Sequence, residues 1–327
     1  MKRIRKRDVL FVGIILLLVL VMLYSGLQIL ESTVLSSAEE QVVQTERKTI
    51  ERNGIEYFPR QDITVVMVLG IDQYGPMVSS ESYRNTGSAD SVMLLVFDET
   101  EKNCTVLYLN RDTMVDMDVL GLKGELIGTD YGQLALAHTY GTGMEDSCVN
   151  VKNTLMNFMH GLNIDYFVSM GMDAIPILND AVGGVTVTVT EDFSEVNPTI
   201  TMGQLILRGD QVLDYVQTRK GVGDQKNVTR MQRQREYVDA FLAALYEKAQ
   251  LETEFMVSVY DEVSDYIVTD CSVNTLSAML DRYADFTVAG AVTPEGENVV
   301  VDGHYQFHVD EEKLDALILD IFYRPKH

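Results

Sequence analysis

Tryptophan is absent from this 327-residue chain, and histidine (5), proline (6) and cysteine (3) are scarce. So few histidines argue against a histidine-based metal centre. Cys104, Cys148 and Cys271 are odd in number and lack C-x-x-C spacing, so they make neither a disulfide framework nor a zinc site. One pair could bridge, but each lies in an apolar run and reads more simply as small buried filler. No repeat, low-complexity tract or Pro/Gly linker divides residues 62–327. Positive charge is also short: 26 Lys and Arg against 49 Asp and Glu leave a formal charge of −23. Such a chain repels nucleic acid and anionic lipid as a whole, so an anionic ligand must be met by a local basic cluster. The sequence has no G-x-x-x-x-G-K-[ST], G-x-S-x-G, H-E-x-x-H or S-x-x-K. Nucleotide hydrolysis, serine esterase, zincin and transpeptidase chemistry therefore lack their motifs.

One long apolar run is present. Val9 to Leu30 contains only Ser25 and Gln28 as clearly polar residues. At ~1.5 Å per residue it reaches about 33 Å, enough for a hydrocarbon core of roughly 30 Å. Residues 1–8 carry five basic groups against Asp8. Basic residues collect on the cytoplasmic side, so the N-terminus is expected inside and the remainder exported. The alternative is a cleaved signal peptide, but the run is long for one and Ser36-Ser37-Ala38 is only a weak cleavage site. Either way the domain is expected outside the cell membrane. Residues 31–61 are polar and mixed, which suits a helical stalk.

The folded domain is expected over 62–327. Thr64–Ile71, Val92–Phe97 and Cys104–Leu109 are apolar on both faces and read as central strands covered by helices. Ile164–Met170 and Val185–Val189 add two more. Helical patterns lie at Asp146–His160, at Met172–Ala181 before Gly183-Gly184, and at Thr229–Lys248 behind a Thr229/Gln232 capping box. Further helices are expected at 254–266, 272–283 and 311–322, with short strands at 286–292 and 304–309. The fold class is a single three-layer α/β/α domain with a central mixed sheet, plus an N-terminal transmembrane helix.

Ligands in such sheets bind at strand ends. Asp72 follows the first strand, Asp90 precedes the second, and Arg111-Asp112 follow the third. Antiparallel pairing of the first two strands would bring Asp72 and Asp90 together, and two carboxylates with open positions suit Mg²⁺. The plainer reading is a strand end and a turn cap. A second cluster reverses the local sign of charge. Of twelve Lys and Arg between residues 61 and 235, six lie from Arg219 to Arg235. Arg230 falls in the first turn of a predicted helix, where free N–H groups favour an anion. Arg230, Arg233 and Gln234 share a face. Guanidinium forks match phosphate oxygens, so Arg219, Arg230, Arg233 and Gln234 read as a phosphate or pyrophosphate clamp, with Asp224 placed to orient an arginine or act as a base. The bland alternative is a solvated basic face. His138 and His160 read as packed or solvated, and the sixteen methionines as core filler.

Leu69-Gly70-Ile71-Asp72, Ala89-Asp90-Ser91, Asn110-Arg111-Asp112-Thr113 and Ala137-His138-Thr139-Tyr140-Gly141 together resemble the LytR–CpsA–Psr family. Ile164-Asp165-Tyr166-Phe167, Val182-Gly183-Gly184-Val185 and Gly209 to Val216 running into Arg219, Asp224 and Arg230–Gln234 extend the likeness over about 62–250, in order. The resemblance implies a phosphotransferase using Mg²⁺, with a polyprenyl-pyrophosphate-linked glycan as donor and peptidoglycan as acceptor, at the C6-OH of N-acetylmuramic acid. Teichoic acid and capsule are both possible cargoes. It implies Asp72 and Asp90 as metal carboxylates, and Arg111, Arg219 and Arg230 as pyrophosphate ligands with Asp224 and Gln234 close by. Asp90 or Asp224 would take the acceptor's proton. Two positions depart from the family pattern: Ser88 stands where many members have a basic residue, and Gln217 where many have the first arginine of Arg-x-Arg. The competing readings are a non-catalytic polyprenyl-phosphate-binding protein and a regulatory membrane protein of the transcriptional-attenuator type. Direct nucleic-acid binding is disfavoured by the charge.

Overall fold

The structure is a computed structural model. It describes residues 49–52, 54–218, 221–223 and, with interruptions, 233–326. At its centre is a six-stranded sheet. It is built from β3 (Ile63–Ile71), β4 (Ala89–Asp98), β5 (Asn103–Leu109), β8 (Tyr166–Gly171), β11 (Ile267–Thr269) and β12 (Thr287–Val292). The order is β11-β8-β3-β4-β5-β12. β3 pairs parallel with β8 and β5 with β12, while β3–β4, β4–β5 and β8–β11 are antiparallel. The sheet is therefore mixed, as expected.

The central strands read as continuous apolar runs because both their faces are covered. Val65, Met67, Leu69 and Ile71 of β3 share one core with α1 (Glu145–Phe158) and α5 (Glu311–Phe322), through Cys148, Val151, Leu155, Leu314 and Ile318. Val66, Leu95, Val106 and Val168 point to the other face, against Met279, Tyr283 and Phe286. There Phe97 and Tyr283 stack with ring centroids 4.4 Å apart. Asp146, in the first turn of α1, ties the helix to the loop before it: its carboxylate accepts from Thr142 N–H at 2.7 Å and from Thr142 Oγ1 at 2.6 Å. With Glu145 it also places negative charge at the positive end of the helix dipole.

A third apolar cluster lies beside the sheet. It joins α2 (Ala174–Ala181), the β9–β10 hairpin (Val185–Val189 with Gly203–Leu207), α3 (Gln211–Gln217) and α4 (Phe255–Val263). Tyr237, Phe241 and Leu245 pack into it from the described helical residues between 233 and 248.

Several expectations need correction. Val185–Val189 is not a central strand: its valines are buried and its threonines exposed, the pattern of a hairpin covered on one face. Residues 50–59 are not a helical stalk. They form a hairpin, β1 (Ile50–Arg52) and β2 (Ile55–Pro59), whose second strand pairs with β15 (Tyr323–Pro325). A further hairpin, β6 (Met114–Leu120) with β7 (Leu126–Gln133), was not expected at all. The strand at 304–309, β14 (His304–Val309), pairs with β13 (Gly296–Val301) outside the central sheet. The expected membrane span, residues 9–30, lies outside the described residues. Among those described, no helix is long and apolar enough to cross a membrane.

Candidate functional site

Antiparallel pairing puts the C-terminal end of β3, the N-terminal end of β4 and the C-terminal end of β5 on one edge of the sheet. The register there is broken. Gly70 faces Ser91 but Ile71 faces Ala89, which leaves Asp90 as the extra residue of a bulge. Bulges re-aim a side chain out of the pleat. Here the bulged residue is a candidate metal carboxylate. Asp72 follows on the neighbouring strand; its N–H donates to Ser88 O at 2.9 Å, and its side chain is exposed. Asp72 and Asp90 thus stand at the two ends of the β3–β4 loop, on the same edge of the sheet.

Arg111 joins them from the end of β5. Its Nη1 pairs with Asp90 Oδ1, and Ser88 Oγ donates to the same oxygen at 2.8 Å. Arg111 Nε is buried without a hydrogen-bond partner and lies 3.7 Å from Asp112 Oδ1. Burial pushes the Asp112 carboxyl up; Arg111 opposes that shift and Asp90 adds to it. Ser88, at the first departure from the family pattern, therefore supplies a hydrogen bond to Asp90 where a basic residue would supply charge.

The loop between β3 and β4 is held by two side chains the sequence reading did not single out for this work. Asn85 Nδ2 reaches His138 O (2.8 Å), Gly141 O (3.1 Å) and Ser147 Oγ (3.1 Å), and its Oδ1 accepts from Gly87 N–H at 2.8 Å. His138 is fully buried, with Nδ1 2.7 Å from Gly87 O. Burial lowers its pKa, so it is a packed neutral imidazole, as expected, and pins the loop one residue before Ser88.

The basic cluster is described only in part. Arg219, Asp224 and Arg230 lie outside the described residues. Gln217, the second departure, sits at the end of α3 beside the loop after Asp72: Tyr74 Oη donates to its Oε1 at 3.4 Å. The chain leading into Arg219 thus reaches the same region as Asp72. Arg233 does not fit its expected role. It is only 5% exposed, donates through Nε to Tyr215 O at 3.0 Å, and uses its remaining nitrogens on Glu191 and Thr218 O. Gln234 donates to Val216 O at 2.9 Å. Both side chains brace the C-terminal end of α3, where carbonyls lack helical partners and a cation is favoured. Arg233 is a buried strut rather than an open phosphate ligand, because burial has spent its donors on the protein itself.

Among the described residues no group of three or more His, Cys, Asp and Glu could hold a metal. Asp72 and Asp90 are a set of two. Mg²⁺ takes one or two protein carboxylates and completes its shell with water and phosphate oxygens. The donor set fits an ion shared with a pyrophosphate and does not fit an all-protein cage. The cysteines are free and buried, so none bridges.

A family model described as the LytR_cpsA_psr family matches residues 27–320. The chain is 26% identical over 309 residues to a polyisoprenyl-teichoic acid–peptidoglycan teichoic acid transferase, TagU, of Enterococcus faecalis, covering 92% of this chain and 91% of that protein. It superposes on a solved Streptococcus agalactiae protein with TM-score 0.62 at 22% identity, covering 80% of this chain and 86% of that one. On TagT bound to LIIa-WTA the TM-score is 0.57 at 21% identity, over 80% and 90% of the two chains. These superpositions establish the fold, and the match over 27–320 establishes the kinship: the chain belongs to the LytR–CpsA–Psr family.

Proposed function

We propose that this chain is a membrane-anchored, extracytoplasmic transferase that moves a glycopolymer from a polyprenyl-pyrophosphate carrier onto peptidoglycan, at the C6-OH of N-acetylmuramic acid. The observation that carries the reading is the Arg111–Asp90 pair beside Asp72 on one sheet edge, in a chain 26% identical to a teichoic acid transferase. In the reaction, the phosphorus–oxygen bond to the carrier phosphate breaks and a bond to the acceptor oxygen forms. Polyprenyl phosphate leaves, and the hydroxyl proton passes to a base.

Each residue has a defined part. Arg111 offers a planar guanidinium to phosphate oxygens, and its partly buried setting strengthens that attraction over what water would allow. Asp72 and Asp90 would hold Mg²⁺, which supplies neutralisation of charge on the transferred phosphoryl group. Ser88 fixes the Asp90 carboxylate. Arg219 and Arg230 complete the clamp, and Asp90 or Asp224 accepts the proton.

Full-length chain in detergent, given a lipid-pyrophosphate donor and peptidoglycan, is expected to attach glycan only when Mg²⁺ is present. Arg111→Ala should lower the rate about 10²–10³-fold, the usual loss of one preorganised donor. Unchanged transfer by that variant would overturn the site. Donor binding without turnover by the native chain would replace the enzyme with a carrier-binding protein. Protease added outside intact cells should digest the domain if residues 9–30 anchor it as proposed.

A further inference from the structure

The C-terminal hairpin β13–β14 lies outside the central sheet. It touches the loop that carries Arg111 at two points. Phe307 N–H donates to Asp112 O at 2.8 Å, within an isolated parallel bridge between Thr113 and Phe307. The second contact runs through Gln133, the last residue of β7. Its Nε2 donates to Asp112 Oδ1 at 2.9 Å and to Tyr305 O at 2.7 Å, a residue 172 positions downstream. A side-chain amide nitrogen has two hydrogens, so this one is spent in full on a clip between the loop and β14.

The atom that Gln133 holds matters. Asp112 Oδ1 is also the oxygen through which Asp112 pairs with Arg111, 3.7 Å from its Nε. The loop backbone is fixed independently: Ala135 N–H donates to Arg111 O at 3.0 Å, and Asp112 N–H to Asn110 Oδ1 at 3.0 Å. With the backbone held by other bonds, the freedom left is the rotation of the Asp112 carboxylate, and Gln133 is what restrains it. We propose that Gln133 is a positioning residue that sets the Arg111 guanidinium through Asp112, with the β13–β14 hairpin as its abutment.

The inference needs the loop geometry alone; its consequence for pyrophosphate binding rests on the proposed function. Two measurements on the full-length chain in detergent separate them. The first is the side-chain Nε–H resonance of Arg111 without ligand, assigned by its loss in Arg111→Lys. It is expected to move in Gln133→Ala and in Asp112→Asn, the latter keeping the amide contact and removing the charge. A resonance unmoved in both folded variants overturns the proposal. The second is calorimetric affinity for geranyl pyrophosphate with Mg²⁺, for Gln133→Ala in the native and Arg111→Ala backgrounds. Weakening of about fivefold in the first and less than twofold in the second is expected of a residue that acts through Arg111. Equal weakening in both backgrounds marks a merely structural stitch and overturns it. A native chain that binds no geranyl pyrophosphate refutes the pyrophosphate reading, while the resonance still decides the positioning.

Discussion

Gly87 sits where the loop carrying Ser88 and Asp90 passes over the end of β3. A Cβ there would lie 2.8 Å from Ile71 Cγ2 and 3.1 Å from Gln73 Oε1. Ile71 is wholly buried, so the neighbour cannot yield freely. Gly87→Ala is expected to cost about 1–3 kcal/mol in urea unfolding, the range for overpacking a filled site. The same loop carries a pH dependence. His138 has its pKa lowered by burial, so its contribution to stability is present above the unfolded value of about 6.5 and is lost as pH falls below it. Melting temperatures should drop between pH 7.5 and 5.5 more in the native chain than in His138→Gln. An equal drop in both would remove histidine from the account. At this scale the sequence showed the charged residues and hid the neutral ones. Asp72, Asp90 and Arg111 announced themselves by type and by strand-end position. Gln133 and Asn85 did not, because their value lies in partners 172 and 53–62 positions away. Arg233 misled for the opposite reason: in a basic run it reads as an open phosphate ligand, and its burial against Glu191 depends on a fold not visible in the run.

Elements were legible in proportion to how fully they are covered. β3, β4, β5 and β8 are buried on both faces, so their apolar runs stood out against everything around them. β7 was invisible because six of its eight residues are exposed, and its Leu-Ile-Gly-Thr-Asp-Tyr-Gly-Gln run shows no apolar face. β9 was recognised as a strand but put in the wrong sheet. Its Val/Thr alternation already says that only one face is covered. The start of β3 supplies a further test. Arg60 reaches Asp62 at 3.0 Å and Asp98 at 2.6 Å, joining the starting end of β3 to the finishing end of β4. Asp98 is 8% exposed, so Arg60→Ala leaves a buried carboxylate without its cation and should cost about 3 kcal/mol by denaturant unfolding. The hydrogen bond from Arg60 also holds the Asp62 carboxyl well below the usual carboxylate range. That part of the stability is present above about pH 4 and is lost as pH falls, so the variant should show a flatter acid limb.

Across the whole molecule, three cysteines lie in apolar surroundings, and burial raises each thiol to about 12. The thiolate is the reactive form. Iodoacetamide at neutral pH should leave the native chain unmodified by mass and add three groups once it is unfolded. A group added to the folded chain would show that one of the three is open to solvent. The acidic composition has a counterpart at this scale. A formal charge of −23 leaves a phosphate ligand dependent on the few cations near the sheet edge, so added salt should weaken geranyl pyrophosphate binding less than it would for a basic protein.

The pairing of β2 with β15 places both ends of the described chain together. Arg60 N–H donates to Phe322 O at 2.9 Å, and β3 starts three residues on. β3 then runs about 27 Å, at ~3.4 Å per residue, before it delivers Asp72. A surface that grips the β2–β15 edge would hold the described part of the molecule by its back, with the edge that carries Asp72, Asp90 and Arg111 facing outward. Immobilised binding assays can therefore attach the protein through Lys326, whose N–H donates to Glu56 O at 2.8 Å beside β2, without shading the chemistry.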